Sequence, residues 1–170
     1  DTREVIAAIR NTGTSDIQAL LSVSPYYNKP SQEGIYQHFA AIASVSELPV
    51  MLYNVPGRTG SNMAADTVCR LASDFSGTIL GVKEASGNLE QVMELIRNRP
   101  EGFLVVSGDD AITLPMIAAG GDGAISVIGN AYPALTSLMV AAALDGSYVK
   151  ARELHYMLFP MMTGRPPTPS

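Results

Sequence analysis

Apolar runs of strand length recur along this chain with helix-length patterns between them, and that alternation restricts the fold more than any other feature. The runs are Ala19 to Ser24, Val50 to Val55, Ile79 to Glu84, Phe103 to Ser107 and Ala124 to Ile128. Their spacing of roughly 20 to 30 residues is that of a βα unit with short loops. Between them, Ser31 to Val45, Ala64 to Ser73, Leu89 to Asn98 and Ala111 to Ala119 carry helical periodicity. Two have clear start signals: Ser31-Gln32-Glu33 after Pro30, and Asn88 ahead of Leu89-Glu90-Gln91. Gly120-Gly121 closes a third. Strands alternating with helices predict a parallel sheet covered by helices. Asp1 to Arg10 reads as a helix with no strand before it, and 163–170 as a Pro-rich tail.

Composition excludes several functions. Charged residues make up 16% of the 170, against about 25% in a typical soluble domain, so part of the surface is expected to be covered by other chains. A net charge of −5 without a block of Lys or Arg argues against nucleic acid. There is no apolar run of about 18 residues and no signal-peptide pattern, so no membrane partner is expected. The single cysteine, Cys69, points to a reducing compartment, hence the cytoplasm, and to a buried thiol rather than a nucleophile. His38 and His155 lie far apart without ligand spacing, so no metal is expected. No G-x-G-x-x-G follows a strand, and Gly120-Gly121-Asp122-Gly123 precedes one, which makes it a turn; no cofactor is implied.

The unusual polar residues gather just after the apolar runs, at Pro25 to Asn28, Asn54 to Gly60, Glu84 to Gly87, Gly108 to Asp110 and Gly129-Asn130. That is the end of a parallel sheet where barrels and open α/β sheets alike keep their ligands. Five units are too few for a complete (β/α)8 barrel of about 250 residues, leaving either an open five-stranded sheet or a barrel without its first part. Lys83 falls inside a buried strand, with Ile79 and Gly81 expected on its face. An ammonium short of hydration yields neutral amine, which attacks carbonyls to form a Schiff base. The same pattern fits a lysine whose stem packs and whose head reaches water, the more frequent arrangement. Tyr53 ends the preceding strand, and consecutive parallel strands are usually neighbours, so the two side chains are expected in one cavity. Taken singly, Tyr53 equally fits a core tyrosine, Arg58 a solvated arginine and Tyr26-Tyr27 an interface patch. Together they fit a site with an amine, a phenol for proton transfer and a guanidinium for a carboxylate.

The motifs carry a resemblance. Ser24-Pro25-Tyr26-Tyr27-Asn28-Lys29-Pro30, Leu52-Tyr53-Asn54-Val55-Pro56-Gly57-Arg58-Thr59-Gly60, Gly81-Val82-Lys83-Glu84-Ala85, Ser107-Gly108-Asp109-Asp110 and Gly123-Ala124-Ile125-Ser126-Val127 resemble, in order and spacing over about Asp1 to Met162, the dihydrodipicolinate synthase branch of the pyruvate-dependent class I aldolases. The resemblance implies an α/β fold, a TIM (β/α)8 barrel of which residues 1–162 supply strands four to eight. The first three strands and the C-terminal helical extension are expected to be missing. It implies that Lys83 forms a Schiff base with pyruvate, that Tyr53 relays protons and that Tyr27 enters a neighbouring subunit's site. Arg58 would bind the carboxylate of L-aspartate 4-semialdehyde, the backbone of Ile125 would face pyruvate, and Gly108 would lie at the rim. Tyr26 would lie near an interface pocket where some family members bind lysine.

A homo-oligomer, usually a tetramer in this family, and a place in lysine and diaminopimelate biosynthesis are implied as well. Arg58 after Tyr-Asn-Val-Pro favours the synthase over N-acetylneuraminate lyase-like aldolases. The family's Gly-Thr-Thr-Gly-Glu motif has no counterpart here, so turnover by this chain alone is expected to be small. Competing readings are a non-catalytic half-barrel that needs a partner and a small open α/β binding domain.

Overall fold

The structure, a computed structural model, describes residues 1–11 and 16–164. Helix α1 (Thr2–Asn11) precedes strand β1 (Leu20–Val23), α2 (Gln32–Ala43), β2 (Val50–Asn54), the short α3 (Pro56–Thr59), α4 (Ala65–Asp74), β3 (Ile79–Glu84) and α5 (Leu89–Asn98). Then come strand β4 (Leu104–Ser107), α6 (Thr113–Ala118), β5 (Gly123–Ala124), α7 (Pro133–Leu144) and α8 (Tyr148–Thr163). The chain divides within β4 into two compact units, one ending at Val105 and one beginning at Val106.

In the first unit, β1, β2 and β3 pair in parallel in chain order. Along β2, Val50, Leu52 and Asn54 are fully buried while Met51 and Tyr53 are partly open, the alternation of a strand with one face under helices. Ile35, Phe39 and Ile42 of α2, Val68 and Leu71 of α4, and Val92 and Leu95 of α5 are likewise wholly buried, each such side chain contributing about 1.5–3 kcal/mol. The predicted starts are present: Ser31 Oγ accepts from Gly34 N at 3.2 Å, and Asn88 Oδ1 from Gln91 N at 3.2 Å. The β2–β3 register slips at Val50/Met51, so Ile79 stands beside Val50 and Gly81 beside Met51, with Leu80 as the extra residue. The expected sharing of one face therefore holds for Gly81 and Lys83, and Ile79 is set apart from them by the bulge. Gly81 also lets β4 approach, since a Cβ there would stand 2.6 Å from the Leu104 carbonyl oxygen.

In the second unit, β4 and β5 pair in parallel, Val106 with Gly123 and Ser107 with Ala124. Helices α6, α7 and α8 pack through Ile117, Ala142, Ala143 and Ala151, and through Met139 and Leu158 around Ile128. The strand predicted over Ala124 to Ile128 is shorter, ending at Ala124, and Ile128–Asn130 forms a 3-10 turn. Its partner β4 ends at Ser107, opposite Ala124. Beyond the strand, Asp110 Oδ2 accepts from both Val127 N, at 3.0 Å, and Ile128 N, at 2.8 Å, and so holds the following turn. Gly164, at φ +63°, caps α8. From 165 onward the expected Pro-rich tail lies outside the described residues.

This packing can be tested at two positions. Gly81→Val should lower stability by about 1–3 kcal/mol through overpacking against Leu104, read as a lower urea midpoint. His155 of α8 is buried between Tyr156 and Phe159, its Nδ1 without a partner among the described residues. Burial pushes its pKa below the ordinary histidine value, so the unfolded chain binds the proton more readily. Stability is therefore full above the unfolded pKa, about 6.5, and falls as pH drops below it. His38, lowered by burial first, acts in the same sense. Unfolding midpoints of His155→Phe should fall less steeply between pH 7 and pH 5 than those of the parent chain.

Candidate active site

Parallel pairing sets Tyr53 beside Lys83, on the side of the sheet opposite Asn54 and Glu84. The ring of Tyr53 lies under the amine, with Nζ 4.1 Å from its centroid. A π face at that distance attracts an ammonium without taking its protons. Lys83 is 8% exposed, and its amine forms no ion pair among the described residues. It is not a snorkelling lysine.

Arg58 belongs to α3, a single turn begun by Pro56 and closed by Gly60 at φ +67°, whose N–H donates to the Pro56 carbonyl at 2.8 Å. This turn leaves Arg58 exposed and without an ion pair among the described residues. The loop after β1 lies against the same turn, the stem of Lys29 passing 3.1 Å from where a Cβ on Gly60 would be. Within that loop Tyr27 is 96% exposed and holds φ at +67°. Left-handed backbone costs a non-glycine residue of order 1–2 kcal/mol, and Tyr27 recovers nothing by packing in this chain. Tyr26 is exposed beside it. Lys83, Tyr53, Arg58 and Tyr27 all belong to the first unit.

Gly108 and Ile125 belong to the second. Gly108 comes after β4 in a turn tied by Ser107, whose Oγ donates to the Asp109 carbonyl and accepts from Asp109 N. Ile125 N donates to the Ser107 carbonyl at 2.8 Å, so the carbonyl is what the Ile125 backbone has left to offer. Cys69, half-buried on α4, has its thiol pushed up by burial first and the Asp66 charge second, away from thiolate. Among the described residues no three His, Cys, Asp or Glu gather as metal ligands. No helix among them is long and apolar enough to cross a membrane.

One group was not singled out in the sequence. Asn54 and Glu84 form the next rung after Tyr53 and Lys83, pointing under the helices, where they bond to Gln91 and Asn62. The signal was a polar residue directly after each site residue on adjacent strands.

Parallel βα units with an amine over a phenol at adjacent strand ends define an α/β chain of the kind that builds (β/α)8 barrels. Comparison with known proteins gives the family: the chain belongs to the dihydrodipicolinate synthetase family, whose profile matches residues 1–169. It is 55% identical over 158 residues to the 4-hydroxy-tetrahydrodipicolinate synthase of Flavobacterium psychrophilum, covering 93% of this chain and 54% of that protein. A crystal structure of a dihydrodipicolinate synthase superposes with a TM-score of 0.91 at 47% identity, over 96% of this chain and 56% of that one. The chloride-inhibited synthase of Acinetobacter baumannii, crystallised with pyruvate, superposes with a TM-score of 0.90 at 39% identity, over 96% and 55%. The chain thus spans about half the length of the relatives it matches, and its strands and helices are those of the corresponding part of their barrels.

The backbone at Tyr27 gives a direct test. Tyr27→Gly should leave stability unchanged or raise it by up to about 1 kcal/mol, because relief of strain exceeds the entropy of the added glycine. A fall in the thermal midpoint would show that the exposed ring holds the loop.

Proposed function

We propose that this chain carries the Schiff-base half of a 4-hydroxy-tetrahydrodipicolinate synthase. The amine of Lys83 attacks the ketone carbon of pyruvate, and the resulting carbinolamine loses water to an imine. Loss of a methyl proton gives an enamine, whose carbon attacks the aldehyde of L-aspartate 4-semialdehyde and forms the new carbon–carbon bond. Tyr53, whose ring lies against the amine, is suited to pass protons to and from the carbinolamine oxygen. Arg58 is suited to the aldehyde's carboxylate by its bidentate fork, the Ile125 carbonyl to pyruvate and Gly108 to the rim. Tyr27 suits donation into a second subunit, since its backbone is strained and its ring stands almost wholly in solvent.

The observation that carries the reading is the Lys83–Tyr53 pair, an enclosed amine over a phenol with no ion pair among the described residues. A relative holding pyruvate supports the substrate. Residues 1–162 are read as one segment of the barrel. The family's homo-oligomer suits the exposed apolar side chains of α7 and α8, among them Leu144, Val149, Tyr156 and Met157. The acidic net charge suits a partner set without nucleic acid, and the lone cysteine a cytoplasmic setting.

Incubation with pyruvate and borohydride should trap a covalent adduct on Lys83, found by mass in the peptide that contains it. Tyr53→Phe should keep the fold and slow trapping by about a hundredfold or more. A folded chain that gains no mass at Lys83 would sink the proposal.

A further inference from the structure

The rung beyond Lys83 holds a buried acid that this chemistry does not use. Glu84 is wholly buried, and its carboxylate accepts three hydrogen bonds: from Ser86 N at 2.6 Å, Asn54 Nδ2 at 2.9 Å and Gln91 Nε2 at 3.2 Å. No cation pairs with it among the described residues. A buried charge without a counter-charge is tolerated only when its lone pairs are filled, and amides fill them here. Those amides then reach outward. Asn54 donates its other hydrogen to Asn62 Oδ1 at 2.9 Å and accepts from Met63 N at 3.0 Å. Gln91 donates to the Met63 carbonyl at 3.2 Å and accepts from Asn62 Nδ2 at 2.8 Å. Gln32 of α2 holds the Asn62 carbonyl at 2.8 Å and accepts from Ala64 N at 3.0 Å.

Residues 62–64 are therefore bonded through both backbone and side chain to β2, α5 and α2. They come directly after the turn that carries Arg58. Glu84 comes directly after Lys83. The carboxylate is the one group in the set that only accepts, and three donors converge on it. An amide in its place would aim N–H at N–H for at least one of them.

We propose that Glu84 is a positioning residue: through Asn54, Gln91 and Asn62 its carboxylate locks the Arg58 turn to the strand end that bears Lys83. As a role in catalysis this rests on the Schiff-base reading; as a lock it does not. Backbone amide exchange separates the two. In Glu84→Gln, the amides of Met63, Ala64 and Ser86 should exchange about tenfold faster or more, while Leu52 and Leu95 keep their protection. Asn62 is exposed, so Asn62→Ala frees the turn without stranding a buried charge. That variant should loosen Met63 and Ala64 and leave Ser86 as it was.

Pyruvate trapping at Lys83 should stay within about twofold of the parent chain in both variants, because the sheet holds the amine. Unchanged exchange at 63 and 64 in both variants, or uniform acceleration across the first unit, would overturn the lock. Trapping abolished with exchange unchanged would overturn it too, by showing that Glu84 acts on the amine directly. If the parent chain itself takes up no pyruvate, the Schiff-base reading fails while the exchange rates still decide the lock.

Discussion

The parallel register of β2 and β3 governs most of what this chain can do. In a parallel pair, partners project to the same side, and each step along the strands reverses that side. Tyr53 and Lys83 therefore open together to one side, and Asn54 and Glu84 close together beneath the helices. One rung presents an amine and a phenol. The next supplies a carboxylate and one of the amides that satisfy it. Their proximity comes from adjacent places in the chain, so one pair of strands carries both.

Strand-end loops then complete the arrangement by different physical means. The Arg58 turn is rigid because proline fixes its start, a left-handed glycine ends it, and a buried polar network holds residues 62–64 beyond it. The Tyr27 loop is strained at two non-glycine positions, Tyr27 and Lys29, and its ring stands in solvent. In the second unit Asp110 fixes the segment after Ile125 by capturing two amides. Each is a local solution to the same requirement, a side chain or carbonyl held still at the end of a short strand.

Much of this was legible in the residues. The strands within 20–54 and 79–107 came from runs of β-branched and aliphatic residues, and α2 and α5 from the caps Ser31 and Asn88. Lys83 stood out because a charge interrupted an apolar run. What escaped did so for physical reasons. Helix α7 is apolar nearly all round, so it has no amphipathic period to read, and α3 is too short for one. The turn after β5 is held through Val127 by an aspartate 17 residues before it, which no local pattern encodes. Glu84 and Asn54 were legible only as polar residues at the ligand-bearing end of the sheet, because burial under α5 is a tertiary fact.

The extra residue in β3 has a consequence for parity. Counted back from Lys83, alternation would give Ile79 the same outlook as the lysine, yet pairing sets Ile79 beside a residue that faces the helices. Leu80 absorbs that odd step. It lets one strand obey two schedules, one for the core at its beginning and the opposite one for the Tyr53 ring at its end. Were the same residues to pair without the slip, Val82 would stand beside Tyr53, and the lysine would turn inward with Asn54. The amine's access to a substrate is thus a matter of counting as much as of chemistry, and a comparison of residue identities alone would not register the difference.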